Sequence, residues 1–152
     1  MTVTSAAPGR RVRPQHRPPG PGAGPEPAVL TVVEAGAATS VQDLGRPGMA
    51  HLGVPASGPA DRRSFRLANR LAGNPENTPA LEVTLGGLAI TLSASRYVAV
   101  TGAPAPLMVD GVPVDGAPRL RLRAGSVLTI GRPWAGCRSY LAVSGGIEAD
   151  RV

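Results

Sequence analysis

Seven polar side chains, Gln42, Asp43, Arg46, Ser57, Asp61, Asn69 and Glu82, stand in or beside segments broken up by glycine and proline. Their types suit one kind of chemistry. Gln and Asn present paired amide donors and acceptors, Arg offers a planar fork, and carboxylates bind amines or relay protons. Together they fit a small ligand carrying amide or carboxylate groups. The stretch TSVQDLGRPG at residues 39–48 concentrates three of them, and Gly45, Pro47 and Gly48 leave it too punctuated for a helix or a long strand. It reads as a stiff, polar, charged loop. A plainer alternative is that Asp43 and Arg46 simply pair and pin that loop.

Other catalytic templates fit poorly. The chain has no GK[ST] phosphate loop, no HExxH and no paired CxxC, so no metal site is expected. A nucleophilic set would have to be assembled from Ser57 or Cys137 with His51 and Asp43. His51 reads instead as an ordinary loop histidine, and Cys137 as a small buried residue near a strand start. The glycines of VSGGIEAD read as a bend, because no helix pattern follows them.

The elements that must position these residues are mostly β. VLTVVEA at residues 29–35 is a β-branched run suited to a first strand. In LEVTLGGLAITL, residues 81–92, apolar positions alternate on either side of Gly86-Gly87, the pattern of a hairpin. Asp110-Gly111 marks a second hairpin. RLRLR at 119–123 places Leu120 and Leu122 opposite three arginines, and Ala124-Gly125 separates it from residues 127–130. SYLAVSGG closes a series of about eight short strands, which favours a barrel or sandwich.

One helix interrupts the series, at about residues 59–72, with Pro59 at its first position and Gly73 and Pro75 beyond its end. Its spacing puts Ala60, Ser64, Leu67, Ala68 and Leu71 on one face, flanked by Phe65 and Ala72, with Arg62, Arg63, Arg66 and Arg70 opposite. The arginines read as a solvated face. Asp61 falls inside the apolar sector. That leaves two roles open: bonding to nearby loop amides near the helix start, or facing a site between the helix and the QDLGRPG loop.

Composition removes several function classes. All 16 basic residues are arginine, so no lysine is present to form a Schiff base, carry biotin or hold a phosphate. Of the net charge of +6, half comes from residues 1–27, where four arginines face Glu26 alone. Rich in Pro, Gly and Arg, that tail is expected to be disordered and to precede a single domain over residues 28–152. Four aromatic side chains are too few for a single-strand stacking surface, so nucleic acid is set aside. There is no apolar run of membrane-spanning length, no secretory signal pattern and only one cysteine. A cytoplasmic location is expected.

Five blocks in order, VQDLGRPG (41–48), LGVPASGPADRRSFRLANRLAGN (52–74), ALEVTLGG (80–87), VTGA (100–103) and YLAVSGGI (140–147), resemble the KipA-like family, also called allophanate hydrolase subunit 2. That family includes the C-type subunit of 5-oxoprolinase and the carboxyltransferase domain, subdomains A and B, of urea carboxylase. SGPAD stands where the family more often has a form like SGAMD, and Met49 where an aromatic is common. The resemblance implies a cyclophilin-like β-barrel, of which this chain corresponds to the N-terminal half, since relatives continue well past SGGI. It implies a subunit of an ATP-dependent 5-oxoprolinase-type hydrolase, opening 5-oxoproline to glutamate with a KipI-like subunit and a LamB-like subunit. Two alternatives come with it: a fragment of a biotin-dependent carboxyltransferase of the urea carboxylase/allophanate pathway, and a non-catalytic KipI-binding regulatory module. The absence of lysine favours the first reading over the biotin enzyme. Carried onto this sequence, the family pattern makes Asp43 and Arg46 the catalytic candidates. Gln42, Ser57, Asp61, Asn69 and Glu82 are the substrate-binding ones.

Overall fold

Leu81, Val83, Leu88, Ile90, Leu92 and Leu141 are all essentially buried, and they meet in one core because strand alternation sends every second side chain to the same side. The computed structural model describes residues 28–46, 48–53, 55–114 and 118–148. The tail expected over residues 1–27 lies outside the described residues. The strands are β1 (Leu30–Ala35), β2 (Ala38–Gln42), β3 (Ala80–Thr84), β4 (Leu88–Leu92), β5 (Arg96–Gly102), β6 (Leu107–Val109), β7 (Val112–Pro113), β8 (Arg119–Leu122), β9 (Val127–Ile130) and β10 (Arg138–Val143), with one α-helix among the described residues, α1 (Arg62–Ala72). They form two five-stranded sheets, β1-β4-β9-β6-β7 and β2-β3-β10-β5-β8, antiparallel throughout. The fold is thus mainly β with one amphipathic helix, the expected class.

Two local expectations about the strands are corrected. Residues 81–92 do not form a hairpin: β3 pairs with β2 and β10, whereas β4 pairs with β1 and β9. Leu85, Gly86 and Gly87 all have positive φ, of 56°, 72° and 79°, and carry the chain from one sheet to the other. Backbone packing demands glycine there, since a Cβ on Gly86 would lie 2.0 Å from the Gly131 carbonyl oxygen. The start of the QDLGRPG loop is a strand: Ser40, Val41 and Gln42 pair with Glu82, Leu81 and Ala80. The Asp110-Gly111 turn does make the expected hairpin, pairing Val109 with Val112.

The helix begins at Arg62 rather than near Pro59, because the Asp61 carboxylate accepts from the amides of Arg63 and Ser64 and caps it. Its buried face is Phe65, Ala68, Asn69 and Ala72, while Leu67 is left 40% exposed. That face lies on the outer side of the second sheet, against Ala80, Ala99, Tyr140 and Ala142. The small alanines let the helix approach, and the Phe65 ring meets the Tyr140 ring edge-on at 6.1 Å. Strand β10, central in its sheet, is therefore covered on both faces, and this explains its unbroken burial from Ser139 to Val143. No helix among the described residues is long and apolar enough to cross a membrane.

Candidate functional site

The outer face of the second sheet carries a row of polar side chains. Ser40 is opposite Glu82, Glu82 is opposite Tyr140, and Tyr140 is opposite Thr101. A polar row under a helix has to be satisfied, because an unpaired buried group costs about 1–3 kcal/mol. Here it is. The Tyr140 hydroxyl donates to Glu82 Oε2 at 2.8 Å and accepts from the Asp61 amide at 2.7 Å. The same Glu82 oxygen accepts from the Ala60 amide at 2.8 Å, and Arg138 lies 3.5 Å from Glu82 Oε1. The Thr101 hydroxyl donates to the Ser64 carbonyl. Burial, and then the neighbouring Glu82 carboxylate, push the Tyr140 hydroxyl up to about 12, while the Asp61 amide acts against them. Through these bonds the sheet grips the backbone of Ala60 and Asp61, where the segment at residues 55–61 enters the helix.

That segment is met by the loop following β2. The Arg46 amide donates to the Ala56 carbonyl at 2.6 Å. Gly45, at φ 78°, packs so close that a Cβ would stand 2.1 Å from the same carbonyl oxygen. Arg62 reaches back from the first turn of the helix, and its Nη2 donates to the carbonyls of Leu44 (3.1 Å) and Ser57 (3.4 Å). Two loops are thereby joined edge to edge, over the Glu82–Tyr140 pair.

Of the residues expected in a site, Asp43, Arg46, Ser57 and Asp61 come together on these loops, Glu82 lies beneath them, and Gln42 adjoins them on β2. Asp43 and Arg46 do not pair with each other. Asp43 Oδ1 instead accepts from the Gly45 amide at 2.7 Å, forming a turn within its own loop. Its other carboxylate oxygen and the exposed Arg46 guanidinium make no hydrogen bond or ion pair among the described residues. Ser57 is exposed and held at φ 55°. Gln42 donates to Ser40 Oγ at 2.9 Å. Asp61 is occupied as the helix cap, and the Ser64 hydroxyl, then the Ser64 amide, hold its carboxyl below the usual carboxylate range.

Asn69 is elsewhere. Eight residues along the helix from Asp61, it is displaced by about 12 Å at 1.5 Å per residue. Fully buried, it donates to the Thr78 carbonyl and accepts from Asn74, which in turn bonds the Val143 carbonyl. The nucleophilic set is not assembled either: His51 Nδ1 faces the Gly48 carbonyl oxygen, and Cys137 is exposed rather than buried. Among the described residues, no group of three or more His, Cys, Asp or Glu could hold a metal.

Sequence reasoning missed Arg62, which reads as part of a solvated face, and Tyr140. The signal for Tyr140 is its place in SYLAVSGG, one polar-tipped ring in a strand buried on both sides. Its partner Glu82 breaks an apolar strand in the same manner.

Comparison with known proteins adds the family. The family model described as "Carboxyltransferase domain, subdomain A and B" matches residues 52–152. The chain is 43% identical over 127 residues to the urea amidolyase of Saccharomyces cerevisiae, covering 83% of this chain and 7% of that protein. It is also 43% identical over 124 residues to the C-type subunit of 5-oxoprolinase from Escherichia coli, covering 82% of this chain and 40% of that one. The crystal structure of K. lactis urea amidolyase superposes with a TM-score of 0.76 at 39% identity, covering 80% of this chain and 7% of that chain. The chain thus spans well under half the length of these relatives. With this site geometry, this fold and a family match over two thirds of its residues, the chain belongs to the carboxyltransferase-domain family, subdomains A and B.

Proposed function

We propose that this chain supplies part of the active site of a 5-oxoprolinase-type complex, an ATP-dependent hydrolase that opens the amide ring of 5-oxoproline to glutamate. The observation that carries the reading is the meeting of two loops that present Asp43, Arg46 and Ser57 together, with one Asp43 oxygen and the Arg46 guanidinium left unengaged among the described residues. A lactam such as 5-oxoproline has a ring N–H, a carbonyl and a carboxylate. An ionised carboxylate accepts the N–H, and a guanidinium fork pairs with a carboxylate or a phosphoryl group. Asp43 and Arg46 are assigned those two tasks, and the Ser57 hydroxyl orients the carbonyl. Gln42 and Ser40 line the side of the loop. Glu82 and Tyr140 hold the second loop in place from below. ATP is used with partner subunits, a KipI-like chain and a LamB-like chain, which would supply what these loops lack.

A second reading has its own support. Identity to the yeast urea amidolyase is as high as to the bacterial subunit, which favours a carboxyltransferase fragment acting on urea with carboxybiotin. Both substrates are small amides, so the same loops serve either. The test is reconstitution of the chain with KipI-like and LamB-like subunits, followed by phosphate release with 5-oxoproline and, separately, with urea and a carboxylated biotin carrier. ATP hydrolysis dependent on 5-oxoproline supports the first reading. Carboxyl transfer without it supports the second.

A further inference from the structure

We propose that the flank between β1 and β2 is a docking seam for an extended apolar segment of polypeptide, added as a strand. The segment comes from the part of the longer carboxyltransferase-family chains that this chain does not match. This inference does not rest on the proposed substrate.

Among the described residues, β1 and β2 are the outermost strands of their two sheets, and the short turn at Gly36 links them. Between them opens a cavity of about 640 Å³, lined mainly by apolar side chains, among them Leu30, Val32, Val41, Leu81, Leu92 and Val143, with Arg96 and Glu148 also in its wall. The apolar ones are core side chains: Leu81, Leu92 and Val143 belong to the packed interior, and Leu30, Val32 and Val41 reach it only partly buried. Among the described residues the core is therefore open along this flank. β1 itself carries a β-branched run, yet Val33 is 55% exposed, and Val29 just before the strand is 62% exposed. A long, apolar, unpaired edge is a surface that proteins cover.

Two requirements identify the occupant. The apolar walls need apolar side chains, and the free edges of β1 and β2 need backbone donors and acceptors. A small apolar ligand meets only the first. A strand meets both, by edge pairing with alternate side chains turned into the cavity. Residues 14–27 of this chain are poor strand material, because Pro14, Pro18, Pro19, Pro21, Pro25 and Pro27 lack the N–H a ladder requires. The E. coli relative, by contrast, is matched over 40% of its length, so a large stretch of its polypeptide is available for this role.

The experiment uses the full chain, co-expressed with the portion of the E. coli 5-oxoprolinase relative that it does not match. Light scattering after size exclusion should give a 1:1 complex. Fluorescence of the apolar dye anilinonaphthalene sulfonate, bright with the chain alone, should fall in that complex. Hydrogen exchange at the amides of β1 and β2 should slow on binding, a readout that needs no variant. Val32→Arg should weaken the complex at least tenfold, whereas Val112→Arg, on the exposed far edge, should leave it intact. The proposal is overturned by the absence of a complex, by one indifferent to Val32→Arg, or by unchanged exchange in β1 and β2. It is also overturned by a discrete dimer of the chain that Val32→Arg dissolves, which would give the seam to a second copy.

Discussion

The Tyr140 hydroxyl and the Glu82 carboxylate, on adjacent strands and directly opposite in register, are joined by a 2.8 Å hydrogen bond beneath the helix entrance. That pair connects the interior of the sheet to the amides of Ala60 and Asp61. Removing the hydroxyl in Tyr140→Phe leaves the Asp61 amide without its acceptor and takes one donor from Glu82. The expected cost is about 1–3 kcal/mol, read by denaturant unfolding at pH 8. A change within error would show that the pair contributes nothing to the fold.

The same residue sets an alkaline limit. The folded state raises Tyr140 from 10.0 to about 12, so it holds the proton more tightly than the unfolded chain does. Its contribution is complete below about pH 10 and is lost as pH rises through about 12. The stability difference between the native chain and Tyr140→Phe should therefore shrink over that interval. A difference that stays constant from pH 8 to 12 contradicts the assignment.

Asp61 behaves in the opposite sense. Its carboxyl is held below its ordinary value of 3.8, chiefly by the Ser64 hydroxyl and amide. The stabilisation is present above that value and disappears as the carboxylate is protonated at lower pH. Asp61→Ala should cost about 1 kcal/mol near neutrality, with the difference narrowing in acid. Ser64→Ala should move the acid transition in the same direction by less. Unfolding curves collected from pH 2 to 7 test both.

Gly45 is where the two loops touch. An added Cβ would collide with the Ala56 carbonyl oxygen, and φ is 78°. Gly45→Ala should separate the loops while leaving the sheets intact. Faster hydrogen exchange at the Arg46 amide, with unchanged exchange in β10, is the expected result. Uniformly faster exchange would mean that the loop contact supports the whole fold.

The positions of the strands are legible in the sequence, because β-branched and leucine-rich runs alternate as half-buried strands must. Which strands pair is not. Gly86-Gly87 looks the same whether the chain doubles back in one sheet or crosses to the other, and the choice is made by Gly131 and Gly36 packing against that corner. Gln42 reads as polar and loop-associated, but Ser40 and Val41 form strand β2 only through pairing with β3. The candidate site is half legible. Asp43, Arg46 and Ser57 stand out by type and punctuation, whereas the roles of Arg62, Tyr140 and Thr101 depend on contacts 5 to 79 residues away in the chain. Asn69 has the right chemistry, yet the pitch of the helix turns it toward Thr78 and Asn74.

The central claim is that the Asp43 loop binds substrate rather than merely bracing the fold. It is tested by 5-oxoproline-dependent ATP hydrolysis in the reconstituted complex carrying Asp43→Asn or Arg46→Ala. Asp43→Asn keeps the side-chain shape and its bond to the Gly45 amide while removing the charge. The account expects turnover to fall by about one to two orders of magnitude, as loss of a charge-assisted hydrogen bond to substrate does, with a melting curve that matches the native complex. Normal turnover in both variants, or lost turnover accompanied by a lowered melting curve, would contradict it.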